Sequence, residues 1–214
     1  MLALPAPPLH RAFTGLTLLL LLTALWGCAS QSPRAAEVDA RSRVRFEDTR
    51  EGARAVLSEA ILFEVGKTTF ANAADPVLDL LKPAFAKARG KIIVEGHTDS
   101  TGSDVFNRKL SIERAERVRE AIVARQVPPN RVEARGFGKD RPRRSPELSD
   151  EDRQLNRRAE ILFPGETVDT LGGREIEGRT DSMLAQLSKA LGQVKDSAKS
   201  AYEKIRDSFK SDKK

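Results

Sequence analysis

The stretch GHTDSTGSDVFNRKLSIERAERV, residues 96–118, decides how the rest of the chain is read. It runs from the end of a strand through a small polar turn into a helix over 104–125. On a wheel at 100° per residue, Leu110, Ala115, Val118, Ala121 and Ile122 fall within one arc of about 140°. Arg108, Lys109, Glu113, Glu116, Arg119 and Glu120 cover the opposite side. Asn107 and Arg114 fall inside the apolar arc, seven residues apart. A guanidinium on an inward face is costly unless it is paired or faces a groove. Asp99, beside Thr98, enters just before the helix, where backbone N–H groups favour negative charge. A fixed carboxylate and a fixed guanidinium in one pocket suit a zwitterion, each charge-assisted contact being worth about 1.5–3 kcal/mol. The competing reading is an internal Asp99–Arg114 salt bridge that ties the turn to the helix.

Working outward, RVRFEDTREGARAVLS alternates around Glu51-Gly52 and predicts a β-hairpin, Val44–Asp48 with Ala53–Leu57, leading into a strand-like AILF at 60–63. DPVLDLLKPAFAKA predicts a helix with Asp75 as N-cap and Pro76 at its first position, kinked or split at Pro83. KIIVEG before the opening stretch is a buried type of strand, NRVEARGFG after it is another, and a polar loop over 139–155 leads to a last strand, RRAEILF. The fold class is an α/β (α+β) sandwich: a mixed sheet of about four strands with helices on one face, plus the N-terminal hairpin. This domain is expected over 44–164. A Gly-rich linker follows over 165–181, and then an amphipathic helix over 182–210. There Leu184, Leu187, Leu191, Val194, Ala198, Ala201 and Ile205 step alternately by three and four, a narrow seam able to pair with another helix, lie on a membrane surface or dock on the domain.

The N-terminus is a different material. His10 and Arg11 precede AFTGLTLLLLLTALWG, an uncharged run short for a membrane span and right for a signal-peptide core. It ends at Cys28, the single cysteine of the chain, which therefore forms no internal disulfide. Leu25 and Gly27 before it look like a bacterial lipobox, with Trp26 an unusual residue between them. Residues 1–27 are then a lipoprotein signal peptide and Cys28 an acylated N-terminus, palmitate included, held stably because several acyl chains act together. Ala29 in place of an acid suggests the outer membrane by resemblance to such lipoproteins. Residues 28–43, rich in Ala, Ser, Gln, Pro and charge, are a flexible tether reaching at most roughly 50 Å.

The net charge of +6 does not read as nucleic-acid binding, since the positives are interleaved with acids and only 5% of residues are aromatic. Beyond the signal segment His97 is the one histidine, so no metal set, catalytic base or cofactor site is legible. Gly136–Gly138 lacks the third glycine of a nucleotide loop.

VEGHTDSTGSDVFNRKLSIERAERV, with NRVEARGFGKDRP and NRRAEILF, closely resembles the OmpA-like peptidoglycan-binding domain over roughly 60–163. The pattern TD-x2-G-x4-N-x2-LS-x2-RA-x2-V falls on Thr98, Asp99, Gly102, Asn107, Leu110, Ser111, Arg114, Ala115 and Val118. The resemblance implies that Asp99 and Arg114 hold the meso-diaminopimelate of the wall's stem peptide. Thr98, Asn107 and Leu110 would line the site and Arg157 would support it. It further implies a noncatalytic protein of the peptidoglycan-associated lipoprotein type, anchored to the outer membrane through Cys28 with its domain in the periplasm. A scaffold acting through a protein partner or self-association of 182–210 is the alternative. The chain departs from the family at LFEVGK, where Glu64 and Val65 replace the usual aspartate motif.

Overall fold

The structure, a computed structural model, describes residues 44–64 and 66–211, with side chains to Glu203. The expected signal segment, the tether, Cys28 and Val65 lie outside the described residues. Strands β1 (Val44–Asp48) and β2 (Gly52–Ser58) form the hairpin as read, with Val44 opposite Leu57. The hairpin is not an appendage: β2 pairs along its length with β5 (Arg158–Pro164), which pairs with β3 (Ile92–His97), which pairs with β4 (Val132–Gly136). The sheet thus has five strands in the order β1-β2-β5-β3-β4, rather than about four. Every neighbouring pair is antiparallel except β3 and β4, which are parallel because a full helix, α4 (Asp104–Ala124), crosses between them.

The helices that form the core pack on one sheet face. Ala53, Ala55 and Leu57 of β2, Ile92 and Val94 of β3, and Ala159, Ile161 and Phe163 of β5 meet Ala115, Val118 and Ile122 of α4 in one core. Two glycines set how closely α4 lies on the sheet. A Cβ on Gly96 would stand 2.2 Å from the Ser111 carbonyl oxygen, and one on Gly136 would stand 2.5 Å from Ile112. Ser111, a polar residue turned inward, is satisfied there: its Oγ accepts from Gly138 N at 2.8 Å and donates to Arg108 O at 2.8 Å.

Several expectations change. AILF is not a strand: Glu59–Leu62 is a single helical turn, α1, which buries Ile61 and Leu62 together, as alternation could not. The next helix is split at Leu81 into α2 (Ala74–Leu80) and α3 (Lys82–Lys87), with Pro83 in the first turn of α3, where its missing N–H costs nothing. Its N-cap is Ala73 and not Asp75, which lies in the first turn. The end of the expected loop 139–155 is instead helical, α5 (Asp150–Asn156), started by a capping box in which Ser149 Oγ accepts from Asp152 N and Asp152 accepts from Ser149 N.

The expected Gly-rich linker over 165–181 is mostly helical. α6 (Val168–Leu171) ends on Gly172 in the left-handed region (φ 73°), and α7 (Gly173–Ser211) starts at once. Gly173 is tight for a different reason: a Cβ there would stand 2.7 Å from the Phe46 ring. The two glycines make a packed corner rather than a flexible joint. α7 then docks through Ile176, Thr180 and Leu184, all buried, while Glu177 accepts from the Phe46 N–H on edge strand β1. From Leu187 onward the seam is exposed, Val194 at 67%. Among the described residues no helix is long and apolar enough to cross a membrane.

Candidate binding site

Strand register builds the site. Ser58 of β2 pairs with Arg158 of β5, and His97 of β3 pairs with the same Arg158. The residues just beyond these pairs are therefore neighbours: Glu59 after β2, Arg157 before β5, and Thr98 and Asp99 after β3. The Glu59 N–H donates to Arg157 O at 2.9 Å, extending the β2–β5 ladder by one residue. Helix α4 brings Asn107 and Arg114 from the core side, both buried.

Asp99 does not pair with Arg114. Its Oδ2 accepts from Arg157 Nη1 at 2.7 Å, and its Oδ1 accepts from Thr101 N at 3.0 Å, closing the turn. Arg114 donates through Nη2 to Glu59 Oε1 and, at 3.1 Å, to Lys67 O, and its guanidinium lies 5.3 Å from the Phe63 ring centre. Glu59 Oε2 in turn lies 3.3 Å from Arg157 Nε. The result is a chain of alternating charge, Arg114–Glu59–Arg157–Asp99, with the Asp99–Arg114 salt bridge of the competing reading absent from it.

Asn107 Nδ2 donates to Thr101 O at 2.9 Å, holding the turn that presents Asp99, and Leu110 is half-buried three residues further along α4. Thr98 N donates to Gly138 O at 2.9 Å, while its hydroxyl, in the residue before Asp99, is buried without a partner. An unused buried hydroxyl next to a carboxylate can serve a ligand. Arg157 is thus part of the charge chain rather than a free guanidinium beside it. Two participants are not legible in the sequence. The pattern around Glu59 suggests only an approach to a strand, and nothing in it pairs this residue with one 55 positions away. Glu147 accepts from Ser100 N and Oγ, and a buried Asn156 holds the same loop by accepting from Arg143 N at 2.7 Å and Arg144 N at 3.0 Å.

The other sheet face carries a second charge cluster. Glu95, His97 and Glu160 are buried there, with one potential ligand atom from each within 4.8 Å of the others. Guanidiniums already occupy the carboxylates: Arg158 Nε lies 2.6 Å and Arg143 Nε 2.9 Å from Glu160, and Arg54 and Arg141 lie 3.6 and 3.7 Å from Glu95. A metal ion would enter against four positive charges, so this donor set does not fit one. Burial pushes His97 down to about 3, with Arg158 adding to the effect, and the ring stacks on Phe137. Burial by itself would raise Glu160, but Arg158 and Arg143 override it and hold the carboxyl at about 2. The cluster is a neutral histidine within a paired ionic lattice.

The model of the OmpA family matches residues 62–157. Outer membrane protein A of Bordetella avium is 32% identical over 143 residues, 66% of this chain and 73% of that protein. The chain belongs to the OmpA family. A photosystem I P700 chlorophyll a apoprotein A2 of Gloeobacter violaceus is 37% identical over 124 residues, but the chain spans 14% of it. The chain spans between 14% and 37% of the length of several other curated relatives it matches. Among solved structures, the cell wall anchor of the T6SS from Pseudomonas aeruginosa is 28% identical and aligns over 63% of this chain and 99% of that one, with a TM-score of 0.52.

Proposed function

We propose that the protein is a noncatalytic wall anchor. It binds peptidoglycan, through the diaminopimelate of the stem peptide, and is held to the outer membrane by an acylated Cys28, its domain facing the periplasm. The observation that carries this is the charge chain that links Asp99 to Arg114 through Arg157 and Glu59, with an unpartnered Thr98 hydroxyl in the residue before Asp99. One side offers a carboxylate for an ammonium and the other a guanidinium for a carboxylate, the two charged groups of diaminopimelate's free end. Membership of the OmpA family and likeness to a structure described as a cell wall anchor support the same ligand class. Sedimentation with purified diaminopimelate-type peptidoglycan tests it: the wild type pellets, while folded Asp99→Ala and Arg114→Ala variants stay in solution. Equal sedimentation of all three sinks the site, and new wall fragments by mass spectrometry would sink the noncatalytic reading.

A second reading rests on α7. Leu187, Leu191, Val194 and Tyr202 are exposed on one helix, which suits a scaffold that recruits a partner or a second copy. Removal of residues 187–214 changing neither oligomeric mass nor copurifying proteins would end it.

A further inference from the structure

The charge chain has a property that neither end shows alone. On Arg114 sits a carboxylate, that of Glu59, and on Asp99 sits a cation, that of Arg157. Glu59 and Arg157 touch each other at 3.3 Å. The pair therefore presents to the site one anion and one cation, joined, each on the residue that the matching group of a zwitterion would take. We propose that Glu59 is the internal competitor for the ligand carboxylate, with Arg157 its counterpart for the ammonium, so that the unliganded site is occupied by the chain's own ion pair. This deepens the wall-binding reading and rests on it.

The physical case is one of charge conservation. The four residues sum to zero, so no buried charge is left uncompensated without ligand. When a zwitterion takes Arg114 and Asp99, Glu59 and Arg157 are left with each other, and the sum is again zero. Glu59 is fitted for this exchange: it follows β2 directly, so its backbone need not move, and its Oε2 makes no hydrogen bond despite being buried. Arg157, at 28% exposure of its side chain against 6% for Arg114, has the most room to turn outward. A purely structural role for Glu59, clamping Arg114 in place, makes the opposite forecast for its removal.

The test titrates the full chain calorimetrically with a tripeptide ending in meso-diaminopimelate, using wild type, Glu59→Gln and Arg114→Ala. Glu59→Gln keeps the shape and removes the charge, and is expected to bind about tenfold tighter, since the ligand no longer displaces a charge-assisted contact. Binding by Glu59→Gln that is unchanged or weaker, with Arg114→Ala inert, overturns the inference and leaves the wall-binding reading intact. Uptake by Glu59→Gln but not wild type keeps the inference and removes that reading for the natural chain. Neither binding overturns both. A crystal structure of the wild-type complex tests the same exchange without a variant: Glu59 is expected off Arg114, and a retained contact overturns the proposal.

Discussion

Arg157 reaches Asp99 at 2.7 Å, and Arg114, on the helix that follows Asp99, reaches Glu59 instead. The two residues whose types define the candidate site are thus held apart by two others, each bound to its opposite. Removing one member has unequal consequences. Arg114→Ala takes its closest cation from the nearly buried Glu59, leaves it the 3.3 Å contact with Arg157 alone, and is expected to cost about 2–3 kcal/mol of stability. Asp99→Ala leaves Arg157 able to turn to solvent and should cost about 1 kcal/mol. Urea unfolding of both variants checks the ranking.

The approach of α4 to the sheet depends on the missing side chain of Gly96. Gly96→Ala puts a methyl group into the Ser111 carbonyl, a backbone atom that cannot step aside, and about 3 kcal/mol or more should be lost. Gly178→Ala is the contrast: it lies inside α7 with nothing near its Cβ position and should gain about 1 kcal/mol from helix propensity. Thermal melts of the two variants should move in opposite directions.

His97 makes the fold sensitive to acid. Its folded value near 3 lies below its ordinary 6.5, so the unfolded chain takes up the proton first, and stability falls as the pH drops below about 6.5. The groups facing it are Arg158, Glu160, Arg54 and Arg141, with Phe137 against the ring. Glu160, held near 2 against an ordinary 4.5, begins to contribute in the same direction below about pH 4.5. Glu95, raised by burial, opposes them. Between pH 6 and 5 the wild type should lose up to about 1.4 kcal/mol per pH unit, and His97→Gln should lose that slope. Urea midpoints across this range decide it.

Along α7 the change from docked to exposed is sharp. Leu184→Ala should cost about 2–3 kcal/mol, because its side chain is buried in the core, whereas Leu191→Ala should change the stability of the isolated chain by less than about 0.5 kcal/mol. If Leu191→Ala costs as much as Leu184→Ala in a concentration-dependent way, the exposed seam has found a second copy.

The fold is legible in the sequence where periodicity speaks. The hairpin and the inward arc of α4 follow from spacing, the split just before Pro83 follows from the proline, and the placement of Asn107 and Arg114 among apolar residues follows from the same wheel. The glycines at 172 and 173 read as a loose joint because composition cannot separate a glycine that frees the chain from one that lets a ring approach. The box Ser149–Asp152 is present in the sequence but sits in a stretch without apolar period. Glu59 is out of reach altogether, since its role arises from the β2–β5 register, a long-range property.

The register also governs how the domain would carry a mechanical load. Val44, where β1 begins, lies opposite Leu57, two residues before Glu59. The chain therefore enters the sheet at the same end that gathers Glu59, Arg157 and Asp99. A pull between whatever precedes Val44 and a ligand seated there runs across the paired ends of β1, β2 and β5 and into α4 through Arg114, while β4 stands outside the line of force. Grip would then depend on the first few ladder bonds at that end, loaded one after another, rather than on the thermodynamic stability of the whole core.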